Sequence, residues 1–257
     1  MTEHRERITY SLIKRIVLRA DKIVTECTYM EDILLGFGVE QNRIHKIIIG
    51  IDTENWDPEA DPAAVKKKFD LEGKKVVLTL SRLVRRKGHD VVIRAMKNVP
   101  DAVYLIAGTG PERARLEKIA EEAGIEGRVR FAGFVPDEQL PEIYAACDVF
   151  ILANRDIKGD VEGTAIVYME AFASGKPVIG GRSGGTEDCV IDNVNGILVN
   201  PEDTAEIGRR IVELLSDRER RERLGGAGRK MVEERFSERI VRKRFKEIFV
   251  NEQFFVS

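Results

Sequence analysis

Short apolar runs alternate with longer amphipathic stretches along most of the chain. The runs at 76–80, 103–107 and 149–152 are apolar without alternation, as in strands that helices cover on both faces. The intervening stretches 89–98 and 112–122 carry apolar residues at helical spacing. This order of elements predicts an α/β protein with a Rossmann-like, doubly wound parallel sheet.

The same pattern continues on either side of these elements. Further strands are predicted at 22–25, 46–49, 129–131, 177–179 and 196–199. Further helices are predicted at 5–19, 28–36, 137–146 and 204–215, with a short helix from Thr186 and a charged helical tail over 217–250. The stretch 57–62 has two prolines and three acidic residues, which predicts a linker before the regular part of the chain.

Composition narrows the class of protein. The chain has 257 residues, of which 43% are hydrophobic and 33% charged, enough for a full core. The net charge of −2 gives no indication of nucleic-acid binding. No apolar run is long enough to span a bilayer, and the charged N-terminus is unlike a signal peptide.

Cysteines and histidines add little chemistry. Cys27, Cys147 and Cys189 lack metal-binding or redox spacing and have apolar or small neighbours. We therefore expect buried free thiols and a reducing, cytoplasmic setting. His89 follows a basic loop, but the sequence places no partner beside it.

Two carboxylates, Glu162 and Glu170, lie eight positions apart around a turn of small residues. The spacing predicts Glu162 on a loop and Glu170 in the second turn of the helix that follows. If the stretch is mostly helical, the two are about 12 Å apart at about 1.5 Å per residue. That is the reach of a diphosphate with a sugar at one end and a ribose at the other. The free N–H groups of residues 163–165 would face the negative charge.

Other readings of this pair remain open. A glycosidase needs its carboxylates about 5–9.5 Å apart, which is less than the helical estimate, so a hydrolase or metal pair is disfavoured. Both glutamates could also be ordinary solvated helix residues, with Glu162 favoured near the positive end of the helix.

Two loops at the predicted carboxyl ends of strands suit a phosphorylated ligand. The loop 81–88 has four basic residues within six positions, among them Arg82 and Lys87, and opens a helix. A solvated basic loop, or a nucleic-acid or lipid phosphate, would suit it equally. Gly108 and Gly110 form either a tight turn that approaches a ligand or a plain turn. They do not form a dinucleotide fingerprint, since Arg113 takes the place of its third glycine.

Two further loops carry apolar or glycine-rich segments. Phe134 and Val135 lie where backbone groups and an apolar wall could hold a flat base, although the following Pro136 and Asp137 also make a simple turn and helix cap. The segment 180–187 contains four glycines, which indicates either a backbone surface close to a ligand or a flexible crossing.

Together these segments carry a family resemblance. The runs GTGPER, VRFAGFVPDEQLPEIYAACDVFILAN and DVEGTAIVYMEAFASGKPVIGGRSGGTEDCVIDNVNGILVNPED closely resemble the nucleotide-sugar half of retaining GT-B glycosyltransferases of family 4, the glycosyl transferases group 1. The two glutamates match the EX7E motif of that family, and the similarity extends from about Ala20 to Phe236. The loop 154–161 resembles that of mannosyltransferase-like members.

The resemblance implies a role for each site residue. Arg82 and Lys87 would contact the diphosphate, Glu162 the donor sugar and Glu170 the ribose. The remaining donor-binding positions would be the amides of Gly163, Thr164 and Ala165 at the phosphates, backbone groups of Phe134 and Val135 at the base, and the turn glycines Gly108 and Gly110.

The resemblance also implies a division of the chain. Residues 1–57 would be a remnant of the acceptor-side N-terminal domain, and 58–236 the Rossmann-like donor domain. Residues 237–257 would form a C-terminal helix that packs back on the N-terminal segment. The chain departs from the family in lacking an upstream glycine-rich loop and acceptor-side histidine, and in having Ser81 and Thr164 where a glycine and often an aromatic residue stand.

The implied function is transfer of a hexose from a GDP- or UDP-linked sugar to a hydroxyl acceptor, with retention at the anomeric carbon. No Asp-x-Asp pair occurs in a suitable loop, so we expect no metal and no cofactor. The expected partners are the donor, a glycan or lipid-linked acceptor, and a separate N-terminal polypeptide or a second copy. Basic helices at 5–19 and 239–246 could contact the inner face of a membrane, although their apolar residues are more simply core-facing. The alternative is a non-catalytic nucleotide-sugar-binding module or a subunit of a split enzyme.

Overall fold

A six-stranded parallel sheet with helices on both faces forms the centre of the protein. The computed structural model describes the backbone of residues 2–250 and the side chains of residues 10–249. The strands of this sheet are β3 (Lys75–Leu80), β4 (Ala102–Ala107), β5 (Val129–Gly133), β6 (Val149–Leu152), β7 (Val178–Gly181) and β8 (Gly196–Val199). Their order, β5-β4-β3-β6-β7-β8, confirms the predicted doubly wound topology.

Two short strands lie apart from this sheet. They are β1 (Ile23–Thr25) and β2 (Ile44–Lys46), which pair in parallel. The helices are α1 (Thr2–Val17), α2 (Thr28–Gly36), α3 (Ala63–Lys68), α4 (His89–Met96), α5 (Arg113–Glu122), α6 (Leu140–Ala145), α7 (Ile166–Ala173), α8 (Thr186–Cys189), α9 (Thr204–Ser216), α10 (Arg218–Met231) and α11 (Glu238–Val250).

Helices cover the sheet on both faces, and each face has its own apolar core. Helices α3, α6 and α7 pack on one face, where the largest buried side chains include Tyr144, Phe150 and Tyr168. Helices α4, α5 and α9 cover the other face, where the core consists mainly of aliphatic residues such as Ile93 and Ile106. Strands buried on both sides explain the apolar runs without alternation.

The structure differs from the sequence prediction at three elements. The second short strand lies at Ile44–Lys46, two residues earlier than predicted, because Ile44 pairs with Ile23 in its register. Helix α3 was not predicted, since six residues with three lysines give little periodicity. The charged tail is divided by a π-helical turn at Val232–Phe236 into α10 and α11.

The N-terminal segment and the last helix meet beside the main sheet. The N–H of Ile51 donates to the carbonyl of Phe236 at 2.9 Å, and the N–H of Glu238 donates back to Ile51 at 2.9 Å. A side chain at Gly50 would press on Val241 of α11, so the two backbones approach closely. The domain boundaries at 57 and 236 stay a prediction.

Candidate functional site

The loops after β3 and β6 lie side by side at the carboxyl edge of the sheet. From β3 the chain winds towards β4 and β5, whereas from β6 it winds towards β7 and β8. Ligands of doubly wound sheets bind where the winding reverses in this way. The basic loop 81–88 and the segment 154–165, which leads into α7, flank this switch point.

A close backbone contact holds these two loops together. Gly88 has φ +71°, and a Cβ there would overlap the carbonyl oxygen of Ala153. The N–H of Arg155 donates to the carbonyl of Arg86 at 2.8 Å. The Arg155 guanidinium in turn donates to Asp90 on α4 at 2.8 Å, and both side chains are buried. The two loops therefore have a fixed relative position.

Glu162 lies among cations at this junction. The Nζ of Lys87 is 2.6 Å from Oε2 of Glu162, and a guanidinium nitrogen of Arg86 contacts the same oxygen. The sequence brought Lys87 and Glu162 into one site, and the structure places them together. It also places Arg86 there, which the sequence did not single out. The only signal for Arg86 in the sequence was that it lies in the basic loop. A run of basic residues does not indicate which side chains point towards the site.

Burial and like charge weaken the proton affinity of Lys87. Its side chain is 9% exposed, and burial, Arg86 and Arg82 together lower its pKa to about 7, against a small opposing effect of Asp160. Arg82 itself is exposed, and its side chain makes no hydrogen bond or ion pair with the residues that the structure describes. The site thus holds one buried, titratable cation and one cation open to a ligand.

The segment between Glu162 and α7 is not helical. Residues 161–165 form an irregular loop, and the helix begins at Ile166, so the separation of about 12 Å calculated from helical rise rests on a wrong premise. Glu170 does lie in the second turn of α7, as predicted. The N–H groups of residues 163–165 make no backbone hydrogen bond within the described part of the chain, so they remain available to an anion.

Glu170 has a very different environment from Glu162. Its side chain is buried, and the Tyr144 hydroxyl donates to its Oε2 at 2.7 Å. Burial raises the pKa of this carboxyl, and the nearby charge of Asp137 adds to the effect, while the Tyr144 hydrogen bond opposes it. Glu170 lines a cavity of about 460 Å³ together with Asn55, Trp56, Asp137, Glu138, Leu140 and Pro141.

Phe134 and Val135 follow β5 and occupy opposite environments. The Phe134 ring is 76% exposed, which is unusual for a large aromatic side chain. Val135 packs partly against the core. Both line a cavity of about 330 Å³ between α3, β5 and α6. Their contact with a base stays a prediction.

Gly108 and Gly110 are required by packing of the protein on itself. A Cβ on either residue would overlap the carbonyl oxygen of Ser81 or Leu83 in the neighbouring basic loop. Tight packing of the two loops is therefore sufficient reason for both glycines, and their contact with a donor stays a prediction. Ser81 also contacts the ring of His89 at 2.9 Å, and burial lowers the pKa of His89 to about 4. His89 is a neutral structural residue at neutral pH.

The N-terminal segment closes one side of the site. The Thr164 hydroxyl donates to the carbonyl of Glu26 at 2.7 Å, at the end of β1. The Thr28 hydroxyl and the Lys46 ammonium bind Asp188 of α8 at 2.6 Å and 2.7 Å. The segment that holds β1 and β2 is thus attached to the loop leading into α7 and to α8.

Other expectations concern metals, thiols and membranes. Cys27, Cys147 and Cys189 are free and buried, as predicted. Within residues 10–249, whose side chains the structure describes, no group of three or more histidine, cysteine or acidic residues could hold a metal ion. No helix in the same part of the chain combines the length and the apolarity needed to cross a membrane.

Comparison with known proteins agrees with this architecture. The family model described as glycosyl transferases group 1 matches residues 62–231. A GDP-mannose-dependent α-(1-6)-phosphatidylinositol monomannoside mannosyltransferase of Mycolicibacterium smegmatis is 40% identical over 187 residues, covering 70% of this chain and 49% of that protein. The mannosylfructose-phosphate synthase of Agrobacterium fabrum is 31% identical over 219 residues, covering 79% and 46%. The chain spans about half the length of these relatives.

Solved structures show the same fold. HepE of Anabaena, crystallised with UDP and glucose, superposes with a TM-score of 0.88 at 22% identity and covers 98% of this chain and 69% of its own. The C-terminal domain of a glycosyl transferase group 1 family protein of Francisella tularensis matches with a TM-score of 0.64 at 26% identity, covering 74% of this chain and all of that domain. With the matched family model covering more than half of the sequence, this chain belongs to the glycosyl transferases group 1 family and has the GT-B fold.

Proposed function

We propose that this chain is the donor-binding half of a retaining, metal-independent hexosyltransferase. It would bind a nucleoside-diphosphate sugar and present its anomeric carbon to a hydroxyl acceptor. The observation that carries the proposal is the contact of Glu162 with Lys87 at 2.6 Å, at the switch point and beside the unpaired N–H groups of residues 163–165. A carboxylate for sugar hydroxyls and a positive environment for a diphosphate thus lie next to each other.

The leaving group is the nucleoside diphosphate, which gains charge as the glycosidic bond breaks. Lys87, Arg82 and the N–H groups of residues 163–165 are fixed donors that would stabilise this charge without reorganising. Because the Lys87 pKa is about 7, an arriving diphosphate would also draw a proton onto it. These cations supply the charge that a metal ion provides in other transferases, and they are the basis for proposing a metal-independent reaction.

Glu162 would hold the donor sugar. Both cations contact its Oε2, while Oε1 makes no hydrogen bond within the described part of the chain. A carboxylate oxygen of this kind accepts hydrogen bonds from vicinal sugar hydroxyls. Glu162 would therefore bind sugar hydroxyls and place a negative charge near the anomeric carbon. It would not be one of a pair of general acid and general base.

Glu170 would hold the ribose, and the cavity beside it the base. One Glu170 oxygen accepts from Tyr144, which leaves the other for the ribose hydroxyls. Asp137 and Glu138 line the same cavity, and their carboxylates can accept from the N1–H and 2-amino groups of guanine. The relatives that are named as GDP-mannose-dependent support a GDP-linked mannose as the donor.

Nucleotide binding is the direct test of this site. Calorimetry with EDTA present should show binding of GDP, or of UDP, to the isolated chain. Absence of detectable binding of either nucleotide would refute the assignment. An affinity that appears only after Mg²⁺ or Mn²⁺ is added would refute the metal-independent mechanism.

Catalysis by the chain alone is a separate matter. Transfer by GT-B folds needs a cleft that excludes water, and this chain spans about half the length of its relatives. The second candidate is a donor-binding subunit or non-catalytic module, since the groups assigned to the donor, among them Lys87, Glu162 and the N–H groups of residues 163–165, are those of a binding site. Mannose transfer measured with and without a supplied N-terminal half separates these: activity only with the supplied half indicates a split enzyme.

We also propose a glycan or lipid-linked acceptor and a cytoplasmic location, with contact to the inner face of a membrane. The buried free thiols support a reducing compartment. Basic side chains on α11, together with the exposed Phe245, support attraction to an anionic surface. Sedimentation with anionic and with neutral vesicles tests the contact, and equal recovery from both would exclude an electrostatic attraction.

A further inference from the structure

Arg86 lies at the junction of the two loops, and its cation was not assigned from the sequence. Its side chain is 12% exposed. One guanidinium nitrogen contacts Oε2 of Glu162, and Nε lies 3.2 Å from Oδ1 of Asp160. Both ends of the guanidinium are therefore occupied by carboxylates that come from the same segment before α7.

The backbone of Arg86 is fixed as firmly as its side chain. Its carbonyl accepts from the N–H of Arg155 at 2.8 Å, and Arg155 is tied to Asp90 of α4. The next residue but one, Gly88, packs against Ala153 with no room for a side chain. Contacts thus hold the backbone of Arg86 and two nitrogens of its guanidinium. A guanidinium held in this way is well suited to fix the position of another group.

The charges argue against a direct role of Arg86 at phosphate. Arg86 contacts Asp160 and Glu162, and Lys87 contacts Glu162, so with Lys87 protonated these four side chains have no net charge. Arg82 lies outside this group, is exposed, and has no partner within the described residues. A phosphate would therefore find Arg82 open, whereas it would have to displace two carboxylates from Arg86.

We propose that Arg86 is a positioning residue of the donor site, which is held by Asp160 and in turn holds Glu162 for the donor sugar. The proposal rests on the proposed function, since it takes Glu162 to be the sugar-binding carboxylate. It assigns Asp160, in the turn at residues 157–160, to the support of the site, although its side chain is 68% exposed.

Arg86 and Asp160 also act on Lys87, with opposite sign. The positive charges of Arg86 and Arg82 lower the pKa of Lys87, and the negative charge of Asp160 raises it. Glu162 contacts the ammonium directly. Removing Arg86 should therefore raise the Lys87 pKa, and removing Asp160 should lower it.

The first experiment separates sugar positioning from phosphate binding. Affinities for GDP and for GDP-mannose, and for UDP and UDP-glucose in parallel, are measured by calorimetry with EDTA present. For Arg86→Gln we expect the nucleoside diphosphate to bind within about threefold of wild type, and the affinity ratio of sugar-linked to free nucleotide to fall about tenfold. Glu162→Gln should lower the same ratio, and the double variant should add little, because both changes remove one interaction.

Arg85→Gln is the matched control. Arg85 is the neighbouring residue, is 64% exposed, and points to Glu112 at 3.5 Å instead of the site. The Arg85→Gln variant should leave the affinities for the free and for the sugar-linked nucleotide unchanged. An equal loss of both affinities in Arg86→Gln would make Arg86 a direct phosphate ligand and overturn the proposal. An unchanged ratio would overturn it as well.

Asp160→Asn keeps the proposal testable if Arg86→Gln does not fold. Since Asp160 is an exposed partner, the variant should fold and should lower the affinity ratio about threefold. If wild type binds none of the four ligands, the proposed function fails. Whether Arg86 and Asp160 act together at the loop junction is then still tested by the second experiment, which needs no ligand.

The second experiment follows the titration of Lys87 in the free protein, by NMR of ¹³C-labelled lysine. The Lys87 midpoint should move up in Arg86→Gln, move down in Asp160→Asn, and stay in place in Arg85→Gln. Shifts of the same sign in the first two variants, or no shift, would show that Arg86 and Asp160 do not act together at this site.

Discussion

The two glutamates of the EX7E motif share a sequence pattern but not a chemistry. Glu162 lies on an irregular loop between Lys87 and Arg86, whereas Glu170 lies in a helix beneath a tyrosine hydroxyl. Cations stabilise the charge of the first, while burial raises the pKa of the second. The difference teaches that two carboxylates of one motif can have opposite electrostatic environments, which is why we propose different ligand groups for them.

Glu162→Gln should have the largest effect on activity. Loss of its charge near the anomeric carbon should lower kcat by about 10²–10³-fold, the range seen when one transition-state contact is removed. Affinity for GDP should not fall, because Lys87 loses a competing anion. Initial rates with the completed enzyme and calorimetry measure the two quantities. A fall in GDP affinity with little change in kcat would contradict the proposal, because it would make Glu162 a nucleotide-binding residue.

Lys87→Met should weaken binding of the nucleoside diphosphate by about 3 kcal/mol, near the upper end for a hydrogen bond to a charged group. In wild type, Lys87 is protonated below pH 7 and loses its proton as the pH rises through about 7. The affinity for GDP should therefore fall above pH 7 in wild type. Titration calorimetry from pH 6 to pH 9 checks this. Lys87→Arg is the control, since arginine keeps its charge and should give a flat profile.

Glu170→Ala should weaken nucleotide binding by about 1.5 kcal/mol, near the lower end of the same range. The loss should be equal for GDP and GDP-mannose, because it concerns the ribose. Arg86→Gln should behave differently, since it should lower the ratio of the affinity for GDP-mannose to the affinity for GDP. An unchanged affinity would remove Glu170 from the ribose.

Glu170→Gln should also change stability with pH. The pKa of this carboxyl is higher in the folded protein than the value of 4.5 in the unfolded chain. The unfavourable burial of its charged form therefore appears as the pH rises, and is absent below about 4.5, where both states are protonated. The variant should melt at a higher temperature than wild type at pH 8 and at the same temperature at pH 4. Scanning calorimetry measures this, and a lower melting temperature at pH 8 would contradict the assigned environment.

Tyr144→Phe should have the smallest effect, about 1 kcal/mol on nucleotide affinity. It removes the hydroxyl that orients Glu170 and favours its charged form, so the Glu170 pKa should rise further. Phe150, which packs against the Tyr144 ring, offers a control: Phe150→Leu should lower the melting temperature and leave the Glu170 titration in place. Equal titration curves in Tyr144→Phe and wild type would show that the hydroxyl does not act on Glu170.

Much of this architecture was open to prediction from the sequence, since it depends on local periodicity. The central strands and α4, α5 and α9 were predicted within one or two residues, because buried strands and amphipathic helices repeat over a few positions. Helix α3 and the division of the charged tail were missed, since short or highly charged helices have a weak apolar pattern.

The candidate site was predicted less completely. Lys87 and Glu162 were both named, but Arg86 was not, because adjacent basic residues in a loop cannot be sorted by spacing. The glycines at 108 and 110 were named for their freedom to approach a ligand. The structure gives them a different sufficient reason, which is contact with the backbone of the basic loop. Tyr144, the partner of Glu170, lies 26 positions earlier and carried no signal.

The sequence by itself determined the order of strands and helices, the placing of Glu162 before α7 and of Glu170 within it, and the family. These follow from residues a few positions apart, and the physics of helices and strands is local. The tertiary structure decided which cations contact Glu162, and that Glu170 lies under a tyrosine. Those contacts join segments about 20 to 80 positions apart, and they form only when crossovers of the parallel sheet bring loop ends to one edge.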